Sequence, residues 1–286
     1  MKIKSIVPYY GGKRKLAPKI VEMFGPHKTY WEPFCGSMAV LMLKKPCELE
    51  TVNDLHGDLI NLARVIQDKE KGFELYDRLS RTLYTEKFFE EAKERWTSAN
   101  GDPDLSLEWA YDYFVVSWMG LNGVSGTQRC NYQFALRWCR GGGQGARRWQ
   151  SVMDSFPAWH KRLANVVILQ RDAFGILDNI KDEEDVVIYC DPPYFDKSNK
   201  YIHDFAPEQH ERLAQSLGRF NKARIFVSYY DDPKLEGLYE GFTKVCFPAS
   251  TQSLSNATKG EKKERRKEQV EVLLVSNERQ SGLFKV

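Results

Sequence analysis

The residues best suited to chemistry lie in Ile188-Tyr189-Cys190-Asp191-Pro192-Pro193-Tyr194. An apolar, β-rich run leads directly into an acid, two prolines and an aromatic. Prolines fix the backbone and donate no hydrogen bond, which leaves carbonyl oxygens free to accept. Asp191 and the Pro192 carbonyl can therefore both accept from an exocyclic amino group, with Pro193 stiffening the turn. Tyr194 can stack on the base that bears the amine. A rigid turn after a core strand also accounts for this tetrapeptide. A second segment, Trp31-Glu32-Pro33-Phe34-Cys35-Gly36-Ser37, closes an earlier strand-like run, and a glycine there lets backbone approach a ligand closely. Val52-Asn53-Asp54 puts an acid at the end of the next strand. Such an acid, about twenty residues further on, can bind ribose hydroxyls, and it also suits a helix N-cap. Near the start, Pro8-Tyr9-Tyr10-Gly11-Gly12-Lys13 joins a tight Gly-Gly turn to a lysine that could meet a carboxylate. An exposed turn serves equally well there. No Gly-rich Walker pattern is present, which argues against a phosphate-cradling ATPase.

To converge, these segments need a sheet that brings strand ends together. Short β-rich runs alternate with helical patterns, which predicts an α/β fold with a mostly parallel sheet. Strands are expected at residues 29–32, 50–53, 165–170, 185–190, 223–229, 243–247 and 271–276. Val186 to Cys190 is apolar without alternation, as in a strand covered on both faces. In open α/β sheets ligands bind beyond the carboxyl ends of the strands, where the Asp191 loop would lie. Helices are expected over Lys15–Phe24, Ala39–Lys44 and Glu208–Phe220. From about Asp58 to Leu163 the alternation stops, and Leu59–Arg81, Thr85–Trp96 and Leu105–Trp118 show apolar residues at helical steps. This stretch reads as a helical insertion between the second and third strands, with a flexible loop at Gly141–Gly145.

The net charge is +3, from 42 basic and 39 acidic residues in a chain of 286, so the total decides little. Its distribution is more informative. From Tyr113 to Met153 there is no Asp or Glu, while Arg129, Arg137, Arg140, Arg147 and Arg148 interleave with Tyr113, Phe114, Trp118, Tyr132, Phe134, Trp138 and Trp149. Arginines pair with phosphates, and aromatics stack on or wedge between bases. A basic surface over an ordinary helical core is the alternative. A second polar run, Thr251–Gln269, reads either as a solvated loop or as a basic segment that orders on nucleic acid. Cys35, Cys47, Cys130, Cys139, Cys190 and Cys246 show no CxxC spacing, so neither a zinc site nor any other metal site is indicated, and free thiols in a reducing cytoplasm are expected. No apolar run is long enough for a membrane span, and the first residues lack the apolar stretch of a signal peptide. A cytoplasmic protein is expected.

The four chemical segments, in this order and at this spacing, resemble the Dam-like (alpha-group, Asp-Pro-Pro-Tyr) DNA adenine-N(6) methyltransferases. The resemblance runs from Tyr9 to about Val275. It implies a Rossmann-like S-adenosylmethionine-dependent methyltransferase fold, with residues 1–58 and 164–286 forming the catalytic domain. Residues 59–163 would then be a helical target-recognition domain. It implies that Tyr9, Lys13, Phe34, Gly36, Asp54, Asp172 and Asp191 contact S-adenosylmethionine, and that Asp191, Pro192, Pro193 and Tyr194 form the catalytic loop. Gly120-Leu121-Asn122-Gly123 is similar to the element that enters DNA beside the target, which implicates Leu121 and Asn122, with Arg129 and Arg137 as further DNA contacts. Met38 stands where the family has a second glycine. Trp118 and Leu121 replace residues that are basic and aromatic there, so a GATC recognition sequence does not follow. An apolar leucine can still act as a wedge.

What the resemblance implies is site-specific methylation of adenine in duplex DNA, by base flipping and direct displacement, with the protein acting as a monomer. A cognate restriction enzyme is a compatible partner. The alternatives are a cytosine-N(4) methyltransferase, whose target amine is chemically equivalent, methylation of RNA or of a protein glutamine, and a catalytically silent DNA-binding relic.

Overall fold

The computed structural model describes residues 5–9, 11–101, 103–121, 125, 132–136, 145–195, 203, 205–235, 237–247 and 270–276. Its centre is a seven-stranded sheet made of β1 (Thr29–Glu32), β2 (Leu49–Asn53), β3 (Val167–Leu169), β4 (Val186–Cys190), β5 (Arg224–Tyr230), β6 (Phe242–Phe247) and β7 (Glu271–Ser276). The spatial order is β3-β2-β1-β4-β5-β7-β6. The first five strands run parallel, and β7 enters antiparallel between β5 and β6. This is the Rossmann-like arrangement expected from the sequence. The chain first builds outward from β1 to β2 and β3, then returns to place β4 and β5 on the other side of β1. That reversal creates a switch point between β1 and β4, the usual place for a ligand.

All five residues of β4 are buried, as its unbroken apolar run requires in a strand flanked by β1 and β5. Alternate residues feed opposite faces of the sheet. Tyr30, Val52, Val187, Tyr189 and Phe226 join one core with α1 (Ala17–Met23), α2 (Ala39–Leu43) and the helices between β2 and β3. Ile188, Cys190, Ile225, Val227 and Leu274 join a second core with α9 (Ala173–Leu177) and α10 (Pro207–Gly218).

The insertion comprises α3 (Gly57–Gln67), α4 (Lys69–Arg81), α5 (Glu86–Ser98), α6 (Leu107–Met119), α7 (Gly145–Met153) and α8 (Phe156–Leu163). The expected helix over 59–81 is two helices. The chain breaks at Asp68, whose backbone is extended and whose carboxylate accepts from the Glu70 and Lys71 amides at the start of α4. Its helices belong to the same buried cluster as one face of the sheet, and the expected boundary between 58 and 59 falls inside α3.

One expectation is corrected here. Tyr113, Phe114, Trp118, Tyr132 and Trp149 were candidates to stack on bases, but all five are buried. Every residue of α6 from Ala110 to Met119 is buried, and a helix with an apolar surface all round belongs in a core. Trp118 stacks on Trp159, with centroids 6.4 Å apart, and its indole N–H donates to the Ile6 carbonyl at 2.8 Å. Arg148 donates to the Trp118 carbonyl, which holds it on the protein. Arg129, Arg137, Arg140, Trp138 and the polar run 251–269 lie outside the described residues.

Candidate active site

The parallel register sets Trp31 of β1 beside Ile188 of β4 and Glu32 beside Val52 of β2. The segments after Glu32, Asn53 and Cys190 therefore emerge together at the carboxyl end of the sheet. They wall a pocket together with Tyr9, Gly11, Gly12, Lys13, Asp172, Phe174 and Phe205.

Asn53 and Asp54 shape this pocket. The Asn53 side chain donates to the carbonyls of Pro33 (3.0 Å) and Arg171 (2.9 Å), and its Oδ1 accepts from the Arg171 amide (2.8 Å). It thereby ties the loops after β1 and β3 to the end of β2. One Asp54 oxygen accepts from the Gly36 amide at 2.8 Å, and the other accepts from the His56 amide at 3.0 Å. His56, not Asp54, is the N-cap of α3, because its ring Nδ1 accepts from the Leu59 amide. Gly36 has φ +43°, and a Cβ there would sit 3.4 Å from the Tyr9 ring, so the glycine allows both the turn and the close ring. Met38, two residues on, also takes a left-handed conformation (φ +58°) at the N-cap of α2. Its side chain is fully buried in the core and does not line the pocket.

Lys13 and Asp191 form a charged pair in the pocket. Lys13 is buried, and its Nζ lies 2.9 Å from Asp191 Oδ1 and 3.7 Å from Glu271 Oε1. The ammonium also donates to the Gly11 carbonyl at 3.1 Å and stands 4.7 Å from the centre of the Tyr194 ring. Burial alone would lower the Lys13 pKa, but Asp191 and Glu271 raise it above the ordinary lysine value. The Tyr194 hydroxyl donates to the same Asp191 Oδ1 at 3.1 Å. Burial lifts the Asp191 pKa above the usual carboxylate range, against the pull of Lys13 and Tyr194. Both hydrogen bonds fall on Oδ1, which leaves Oδ2 as the acceptor for an incoming donor.

The sequence pattern of the D12 class N6 adenine-specific DNA methyltransferases matches residues 9–250. The chain belongs to that family. The narrower Dam-like grouping rests on the motifs alone. No curated protein matches this D12-class chain. Among solved structures, SMU.472, a presumed methyltransferase in complex with SAH, aligns at 12% identity with a TM-score of 0.27. The alignment covers 72% of the D12-class chain, which spans about half (56%) of SMU.472.

In this D12-class protein the structure brings Tyr9, Lys13, Phe34, Gly36, Asp54, Asp172, Asp191 and Pro193 to one pocket. Asp172 reaches it from the N-cap position of α9. Pro192 and Tyr194 are buried beside it. Tyr194 is the residue expected to stack on the target base. Its ring is buried, packed edge-on to Tyr230 at 4.6 Å and beneath Lys13, so stacking on a base requires the ring to turn out. Leu121 is 41% exposed, outside the pocket, and its amide donates to the Gln133 carbonyl at 2.9 Å. Asn122, with Arg129 and Arg137, is not described. Among the described residues no group of three His, Cys, Asp or Glu side chains is placed to hold a metal, and no helix is long and apolar enough to cross a membrane.

Sequence reasoning missed several pocket residues. Asn53 and Glu32 stand inside quoted motifs, yet their roles depend on partners elsewhere. Phe174 and Phe205 line the pocket as nearly parallel rings, 6.2 Å between centroids and 15° apart. No local pattern marks Phe205, which follows Tyr194 by eleven positions.

Proposed function

We propose that this chain transfers a methyl group from S-adenosylmethionine to the exocyclic amine of adenine in duplex DNA. The observation that carries the reading is the state of Asp191. Among the described residues it is tied through Oδ1 alone, at the wall of a pocket it shares with Asp54 and Gly36. Family membership supplies adenine as the target.

The residues present fit the cofactor, a cation that carries a ribose diol and a flat base. Asp54, Asp172 and Asp191 line the pocket together with Lys13. Asp54 keeps lone pairs for ribose hydroxyls beyond those given to Gly36 and His56. Gly11, Gly12 and Gly36 allow close backbone approach, and Phe174 and Phe205 add an apolar wall. When bound, S-adenosylmethionine supplies an electrophilic methyl group on its sulfonium.

The chain's own contribution is positioning and charge. The target amine lies inside a base pair, so the base must leave the stack to reach the pocket. Asp191 Oδ2 and the Pro192 carbonyl then accept its two N–H groups, which fixes the direction of the nitrogen lone pair. Asp191 also faces the positive charge that grows on this nitrogen, and such fixed charges act strongly in a site that excludes water. Tyr194 turns from Tyr230 to stack on the base, a contact worth about 1–3 kcal/mol. Leu121 enters the duplex as a wedge, with Asn122, Arg129 and Arg137 holding DNA.

The test uses purified protein, tritiated S-adenosylmethionine and unmethylated plasmid, followed by digestion to nucleosides and mass spectrometry. N6-methyladenine is the expected product. N4-methylcytosine would move the target to cytosine, and absence of any labelled nucleoside would refute DNA as the substrate.

A further inference from the structure

Lys13 has two acidic neighbours. One buried ammonium stands between two carboxylates, at 2.9 Å from Asp191 and 3.7 Å from Glu271. The two differ in how they are held. Asp191 sits on the loop after β4 and must receive the target amine. Glu271 opens β7, where the ladder pairs it with Tyr230 of β5 and Phe247 of β6, so its position is set by the sheet. Tyr230 in turn packs against Tyr194. Glu271 thus reaches the catalytic loop from behind, through the lysine.

We propose that Glu271 is a positioning residue of this site, an alternate seat that takes up the Lys13 ammonium when Asp191 must serve the amine. The inference rests on the reading of Asp191 given above. A carboxylate that already accepts from an ammonium is a weakened acceptor for a further donor. As positive charge grows on the amine nitrogen, Asp191 would have to serve two cations at once. A shift of Lys13 of less than about 1 Å toward Glu271 resolves this, and no buried charge loses its partner, the costly outcome in such sites. Without Glu271 the lysine stays on Asp191.

Single-turnover methylation of duplex DNA across pH 5.5–9, with full-length protein, tests this. Glu271→Gln should slow the reaction by about tenfold, equivalent to about 1.4 kcal/mol, with unchanged KM for cofactor and DNA. The acid limb of its profile should move to lower pH, because a lysine that stays on Asp191 favours the ionised carboxylate. Glu271→Asp should restore most of the rate, and in a Lys13→Gln background Glu271→Gln should add little. A wild-type rate and limb in Glu271→Gln would overturn the proposal, as would equal losses in the Gln and Asp variants accompanied by lowered Tm. Carbon-13 NMR titration of Asp191 decides the point without turnover. A lowering of the Asp191 pKa by Glu271→Gln that is lost in a Lys13→Gln background supports the shared lysine even if wild-type protein methylates nothing, a result that would instead refute the proposed reaction; an unmoved pKa, or the same lowering in both backgrounds, sinks the inference.

Discussion

Glu32 gives the sharpest physical prediction. Its side chain lines the pocket, yet the residue is only 2% exposed, and the Tyr30 hydroxyl donates to its Oε2 at 2.8 Å. Burial pushes its pKa up to about 8; Tyr30, Lys44 and Arg162 oppose the rise, and Asp191 adds to it. An unfolded glutamate ionises near 4.5. Between those values the folded protein holds a proton that the unfolded chain has released. Stability from this group is therefore greatest below pH 4.5, falls as pH rises, and is fully lost above about 8. At about 1.36 kcal/mol per pH unit, the span from 4.5 to 8 sets a ceiling of about 5 kcal/mol. That is large beside the roughly 5–15 kcal/mol that holds a folded domain. Glu32→Gln keeps the volume and can accept from Tyr30, but carries no charge. Urea unfolding followed by tryptophan fluorescence should find the two proteins close in stability at pH 5. By pH 8.5 the variant should be the more stable by about 3–5 kcal/mol. A difference that stays constant from pH 5 to 8.5 would refute the buried neutral carboxyl.

Three further outcomes are expected. Asp191→Ala should abolish methyl transfer while leaving DNA retention in a gel shift intact, and substantial residual turnover would remove Asp191 from the centre of the reaction. Asn53→Ala strips three hydrogen bonds from two loops, so it should cost about 2–4 kcal/mol and weaken S-adenosylmethionine binding in calorimetry. Unchanged affinity would show that the loops hold their places without it. Met38→Gly relieves a left-handed backbone worth about 1–2 kcal/mol but loses a buried side chain worth about 2–5 kcal/mol; its thermal midpoint should fall, and a rise would mean that strain outweighs packing at this turn.

The sheet was legible because its signals are local. β1 and β7 fall at their expected residues, β2, β4 and β6 differ by one residue at one end, and β5 is shifted by one residue at both ends. Each is a short β-rich run bounded by turn residues. β3 is shorter than its pattern, three residues at the sheet's edge, where only β2 pairs with it and half of the possible ladder is missing. The single helix expected over 59–81 failed at Asp68. Apolar periodicity continues across that residue, and the decisive event is a side-chain cap, which periodicity does not report.

The aromatics of residues 113–153 show how the same composition supports two readings. A stretch without acids and rich in arginine and aromatics suits a nucleic-acid surface, but it also suits a helix packed on every side. Charge is costly to bury and aromatic area is favourable to bury, so both cases exclude acids and collect rings. What separates them is whether polar residues recur at helical spacing. In α6 they do so only at its start, where Glu108 pairs with Arg78 and Asp112 is held by Arg95 through a bidentate pair; beyond Asp112 only Ser117 is polar. The pocket was partly legible for the converse reason. Asp54 and Asp191 directly follow strands, and Gly36 lies in the short turn between β1 and α2, so local sequence marks them. Asn53 reaches Arg171 across 118 residues, and Lys13 reaches Glu271 from the other end of the chain. Such partners have no spacing to read, because the sheet order, not the sequence interval, brings them together.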